Sequence, residues 1–141
     1  MDMITNPQSA DGPRSFQGQG KDPAGNPMRI EVVSTEGITV VRPAAERLDI
    51  EVAADFRAML LSLIDQGQRR LVVDLADVSF IDSSGLGALV SALKTLKRSD
   101  NGGDVRLTRV QPPVVSLLEI IRLNRVFTTY STVEQAVQSF Q

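Results

Sequence analysis

The residues best able to carry chemistry stand in one run, Asp82-Ser83-Ser84-Gly85-Leu86-Gly87. Two hydroxyls lie beside a carboxylate, between an apolar stretch ending at Ile81 and a helical pattern reaching about Arg98. Strand-to-helix turns of this kind are where ligands and partners collect in open α/β sheets. The first N–H groups of a helix lack intrahelical partners, and the helix dipole is positive there. A phosphate on Ser83 would meet both features, with Asp82 beside it. Gly85 and Gly87 would keep the surface low enough for another chain to come close. A plain structural reading stands next to this one: Asp-Ser-Ser is good N-cap chemistry, and Gly85 fits the turn. Two catalytic readings fail. A P-loop needs Gly-Lys-Ser/Thr, which is missing. A nucleophile elbow needs a glycine two residues before its serine, and neither Ser83 nor Ser84 has one.

The rest of the composition narrows the function further. The chain holds no cysteine and no histidine. That removes a disulfide framework, a thiol nucleophile, a cysteine zinc site and the commonest general base. No acidic cluster offers a hard-cation site. The expectation is a protein that is not an enzyme and takes no cofactor and no metal. The formal net charge is −2, and Arg69-Arg70 and Lys97-Arg98 are short pairs, so direct nucleic-acid binding is not expected. The apolar stretches at Met59 to Ile64 and around Ala88 to Val90 fall far short of the about 20 residues that cross a bilayer. No apolar core of the signal-peptide kind opens the sequence. Membrane insertion is therefore not expected, the expected location is cytoplasmic, and the expected state is a monomer or weak dimer.

These residues need elements to position them. Residues 1–27 carry Pro7, Pro13, Pro23 and Pro27 with four glycines among polar residues. Such a stretch buries too little apolar surface to offset its ordering entropy, and reads as a flexible tail. A short partner-binding segment around Phe16 is the alternative. The domain is expected over residues 28–141. Ile30 and Val32 alternate with polar neighbours, and Ile38 to Arg42 follows after Glu36-Gly37, which predicts a hairpin ending at Pro43. Val52, Phe56, Met59, Leu60, Leu63 and Ile64 recur at helical spacing, with Asp49 as cap and Gly67 as stop. Leu71-Val72-Val73 predicts a strand covered on both faces. Leu86, Leu89, Val90, Leu93 and Leu96 form one helical stripe, and Ala88, Ser91, Ala92 and Thr95 form a flat face beside it. That face serves either packing or docking. Further strands are predicted at Val105 to Leu107 and Val126 to Tyr130. Further helices are predicted after Pro112 or Pro113 and from Thr132 to Phe140. The order β-β-α-β-α-β-α-β-α implies an α/β domain with a mixed, mostly parallel sheet and helices packed on it.

Leu71-Val72-Val73-Asp74-Leu75, followed by Val78-Ser79-Phe80-Ile81-Asp82-Ser83-Ser84-Gly85-Leu86-Gly87, closely resembles the signature of the STAS family, and in particular its bacterial anti-sigma factor antagonists. Arg47-Leu48-Asp49 with Ala54-Asp55-Phe56-Arg57 resembles that family's Gly-Glu-Leu-Asp segment and first helix. Val114, Leu118, Leu123 and Phe127 match its Val-x-x-x-Leu-x-x-x-x-Leu-x-x-x-Phe ending. Glu46-Arg47 departs from the usual Gly-Glu, and the 27 residues before the domain exceed a minimal member's. The resemblance implies a single STAS-like domain and a partner-switching mechanism. The unphosphorylated form would bind an anti-sigma factor, often a serine-protein kinase, and free a sigma factor. Phosphorylation of Ser83 would reverse binding, and a PP2C-type phosphatase would restore it. Asp49, Asp82, Ser84, Gly85 and Leu86 are the expected partner contacts, gathered with Ser83 on one rim of the sheet. The alternative is a STAS scaffold subunit that is never phosphorylated, within a stress-sensing or ABC-type lipid-transport complex.

Overall fold

The computed structural model describes residues 12–21, 27–98 and 102–141. Its elements run β1 (Gly12–Lys21), β2 (Pro27–Thr35), β3 (Ile38–Ala44), β4 (Arg47–Leu48), α1 (Ile50–Asp65), β5 (Arg70–Asp74), β6 (Phe80–Ile81), α2 (Ser83–Arg98), β7 (Asp104–Thr108), α3 (Pro112–Ile120), a 3-10 turn (Leu123–Arg125), β8 (Thr129–Tyr130) and α4 (Val133–Gln138). The main sheet has the order β1-β2-β3-β5-β7-β8. β1, β2 and β3 pair antiparallel, and β3, β5, β7 and β8 pair parallel. This is the mixed, mostly parallel α/β architecture that the strand and helix alternation implies.

The hairpin forms where expected. Thr35 pairs with Ile38, so the loop is two residues long. Glu36 and Gly37 both adopt left-handed conformations, with φ of 52° and 78°. That turn matches the right-handed twist of the flanking strands. β3 runs through Pro43 to Ala44 rather than ending at the proline. Pairing of β3 with β5 stops at Val41 opposite Val73, so no β5 carbonyl waits for the N–H that Pro43 lacks.

Leu71 and Val73 join one core with Ile30, Val32, Val41, Val105 and Leu107, covered by Phe56, Leu60, Leu89, Leu96 and Leu118 of α1, α2 and α3. Val72 points to the other face, with Ile38, Val40 and Ala136 of α4. β5 is thus buried on both sides, as three consecutive apolar residues demand. The strand expected at Val126 to Tyr130 shrinks to β8, because the preceding 3-10 turn carries its chain up to Val126.

Two features were not expected. Residues 12–21, within the stretch read as a flexible tail, form β1 on the edge of β2. Strand pairing is satisfied by backbone groups alone, so low apolar content does not forbid it. Residues 1–11 and 22–26 of that stretch lie outside the described residues. The second is a separate two-stranded parallel patch, β4 with β6, in which Arg47 pairs with Phe80 and Leu48 with Ile81.

At the C-terminal end of β5, Asp74 is buried, its side chain 3% exposed. Arg109 grips it bidentately, Nε at 3.1 Å from Oδ1 and Nη2 at 2.5 Å from Oδ2. This hydrogen bonding raises the guanidinium pKa above its ordinary value, against an opposing effect of burial. Arg109 holds φ at 52°, a left-handed conformation that costs a side-chain-bearing residue about 1 kcal/mol. Arg109→Ala should therefore destabilise the domain by about 2 kcal/mol, since it takes the guanidinium from a buried carboxylate that keeps the Ala76 N–H at 3.1 Å. Arg109→Gly should cost about 1 kcal/mol less, because glycine accepts that φ. Urea unfolding of the three proteins checks the order.

Candidate functional site

The site is built where two helices begin. β4 and β6 lie side by side, and each leads directly into a helix, α1 after Asp49 and α2 after Asp82. Both aspartates are N-caps. Asp49 accepts from the N–H of Glu51 at 3.1 Å. Asp82 Oδ1 accepts from the N–H groups of Ser84 at 2.8 Å and Gly85 at 3.1 Å. Its second oxygen accepts from the N–H of Ile50 at 3.2 Å, at the start of the other helix. The N–H of Asp82 in turn donates to the carbonyl of Leu48 at 3.3 Å. One carboxylate thus ties the starts of α1 and α2 together. Arg47 bonds Asp49 at 3.1 Å and lies 4.1 Å above the ring of Phe80, closing the rim on its outer side.

Ser83 is the first residue of α2 and is exposed. Its side chain faces solvent. The first-turn donors are less free than the sequence reading supposed. Asp82 already takes those of Ser84 and Gly85, so a phosphate on Ser83 would meet the helix dipole but compete with a carboxylate. Ser84 is half-buried and faces an open cleft of about 380 Å³ between α1 and α2.

Asp49, Asp82, Ser83 and Ser84 come together as expected. Gly85 and Leu86 do not reach the surface. Leu86 is 7% exposed and belongs to the main core. Gly85 is buried beneath β4: an added Cβ would collide with the Leu48 carbonyl and lie 2.7 Å from Ile81 Cγ1. Its bareness admits the chain's own backbone, not a partner's. The glycine that does open onto the cleft is Gly87, where an added Cβ meets nothing within 4 Å.

The small-residue face of α2 divides in the same way. Ala88 and Ala92 are buried at 1% and 0% exposure and let α1 pack closely. Ser91 stays at the cleft, where its hydroxyl lies 3.2 Å from Arg57 Nε. Ile50 and Arg57 line the cleft although neither is among the residues expected to meet a partner. Ile50 is 73% exposed at the head of α1, and Arg57 lies two turns further along. A signal was present for Ile50, an isoleucine out of phase with the Val52, Phe56 and Leu60 stripe. Among the described residues, no group of three or more acidic side chains is placed to hold a metal ion. No helix among them is long and apolar enough to cross a membrane.

A mixed sheet with three helices on one face, a fourth on the other, and a capped Asp-Ser-Ser turn at the head of the second helix defines a STAS-type module. The STAS domain model matches residues 29–136, and the chain belongs to the STAS domain family. It is 31% identical over 111 residues to the anti-sigma-B factor antagonist of Bacillus subtilis, covering 79% of this chain and 98% of that one. It is 28% identical over 115 residues to the anti-sigma F factor antagonist of Paenibacillus polymyxa, covering 81% and 96%. The solved structure of an anti-sigma-factor antagonist (STAS) domain protein from Planctomyces limnophilus superposes with a TM-score of 0.64 at 30% identity, over 79% of this chain and 97% of that one.

The two glycines make opposite predictions. Gly85→Ala should destabilise the domain by about 1–3 kcal/mol, as overpacking against a fixed carbonyl does. Gly87→Ala should be neutral or stabilising by up to about 1 kcal/mol, since it replaces a helical glycine facing open space. Thermal unfolding followed by circular dichroism separates them.

Proposed function

We propose that this chain is an anti-sigma factor antagonist that works by partner switching in the cytoplasm, as a regulator and not as a catalyst. Its unphosphorylated form binds an anti-sigma factor that is also a serine-protein kinase, and so frees a sigma factor. Phosphorylation of Ser83 breaks that complex, and a PP2C-type phosphatase restores it. The observation that carries this reading is the exposed Ser83 hydroxyl at the head of α2, on a rim with Asp49 and Asp82 and beside the α1–α2 cleft. Membership of a family whose matched relatives are anti-sigma factor antagonists supports it.

The switch follows from electrostatics. A phosphate adds about −1.5 to −2 charges, on a rim that already holds the Asp82 and Asp49 carboxylates. A partner shaped to the unmodified rim must then desolvate three clustered anions. Each 1.4 kcal/mol lost costs about tenfold in affinity. The fold itself should tolerate the phosphate, which sits at a positive helix end.

Incubation with the cognate kinase and ATP should place phosphate on Ser83 and not Ser84, read by mass spectrometry. Ser83→Ala should bind constitutively, and Ser83→Asp should bind at least about tenfold more weakly in calorimetry. Ile50→Asp should weaken binding without lowering stability, because Ile50 is exposed. Leu86→Asp should unfold the domain instead, because it buries a charge. Phosphate found only on Ser84, or equal affinities with and without phosphate on Ser83, would overturn the proposal.

A further inference from the structure

We propose that β1 is an edge guard, and that the β2 edge beneath it is a strand-pairing surface for the β2 of a second copy of this chain. The sheet has two ends. At one end β8 is only two residues long, which leaves little to pair with. At the other, β2 is nine residues long and rich in β-branched residues, including Ile30, Val32 and Val33. Without β1 its outer row of N–H and C=O groups would be open along that length. Long open edges of this composition pair with other strands.

β1 covers this row in cis, with Gly12 opposite Ser34 through Gln17 opposite Arg29. β1 in turn has the properties that stop a sheet from growing. Pro13 lacks a donor, Gly18 and Gly20 weaken extended pairing, and the register slips between Gln17 and Lys21. β1 also lies outside the residues that match the STAS domain model, 29–136, so the common core ends on β2.

The exposed edge would fit its own copy. A two-fold antiparallel pair centred on Val32 sets Arg29 opposite Thr35, Ile30 opposite Ser34 and Glu31 opposite Val33, with no like charges facing. Ile30 and Val32 then remain on the helix-covered face in both copies.

The test uses the full-length chain. Adjacent residues of an antiparallel strand direct their N–H groups to opposite sides, so Ser15→Pro with Phe16→Pro removes one β1 donor to β2 whichever register phase applies. Light scattering and sedimentation should find the parent monomeric and the double variant dimeric, with an unchanged far-ultraviolet spectrum. Adding Val33→Glu to the double variant places a carboxylate opposite Glu31 at both ends of the pair and should weaken the dimer about tenfold. Because the chain has no cysteine, Gln17→Cys with Arg29→Cys reports where β1 sits. Oxidation should give an intramolecular crosslink. A folded, monomeric double-proline variant would overturn the proposal. So would an unfolded one, since β1 would then be integral to the fold. A dimer insensitive to Val33→Glu, or crosslinks between chains, would overturn it too.

Discussion

The rim where α1 and α2 begin depends on one carboxylate. Asp82 accepts from Ser84 and Gly85 with one oxygen and from Ile50 with the other. Without it, two helix starts would each expose unsatisfied donors, and the bond that ties the first turn of α1 to that of α2 would be lost. With it, the exposed serine is presented from a fixed frame. Gly85 is the steric counterpart of that bond. The helix start can approach β4 closely enough for Asp82 to reach Ile50 only because residue 85 has no side chain. The short β4–β6 ladder is what aligns the two caps in the first place.

Most of the fold was legible because its signals are local. Alternation marked β2 and β3, the three- and four-residue spacing marked α1 and α2, and Glu36-Gly37 marked the turn. β1 was not legible, since its partner is a backbone edge rather than an apolar face. β4 and β6 were missed because two-residue strands have no periodicity to read.

The site was legible as chemistry and less so as geometry. Asp49, Asp82, Ser83 and Ser84 share a rim. Gly85 and Leu86 read as surface because the motif is contiguous, but a helix turns about 100° per residue. Two steps past Ser83 the chain faces β4, and three steps past it faces the core. The same rotation brings Gly87 and Ser91 back to the cleft, where Ile50 and Arg57 of α1 meet them.

The bonds that make the rim share another property. Ile50 to Asp82, Arg57 to Ser91 and Ser79 to Glu46 span 32, 34 and 33 positions along the chain, whereas the β2–β3 hairpin closes across two residues. Long closures cost more chain entropy than short ones and need the packed elements to hold them. The rim therefore belongs to the assembled fold, and is absent from a chain that has made only its hairpin and isolated helical turns. Any protein that reads this surface by shape also reads whether the chain has finished folding. An incompletely folded copy carries the same serine but not the surface around it.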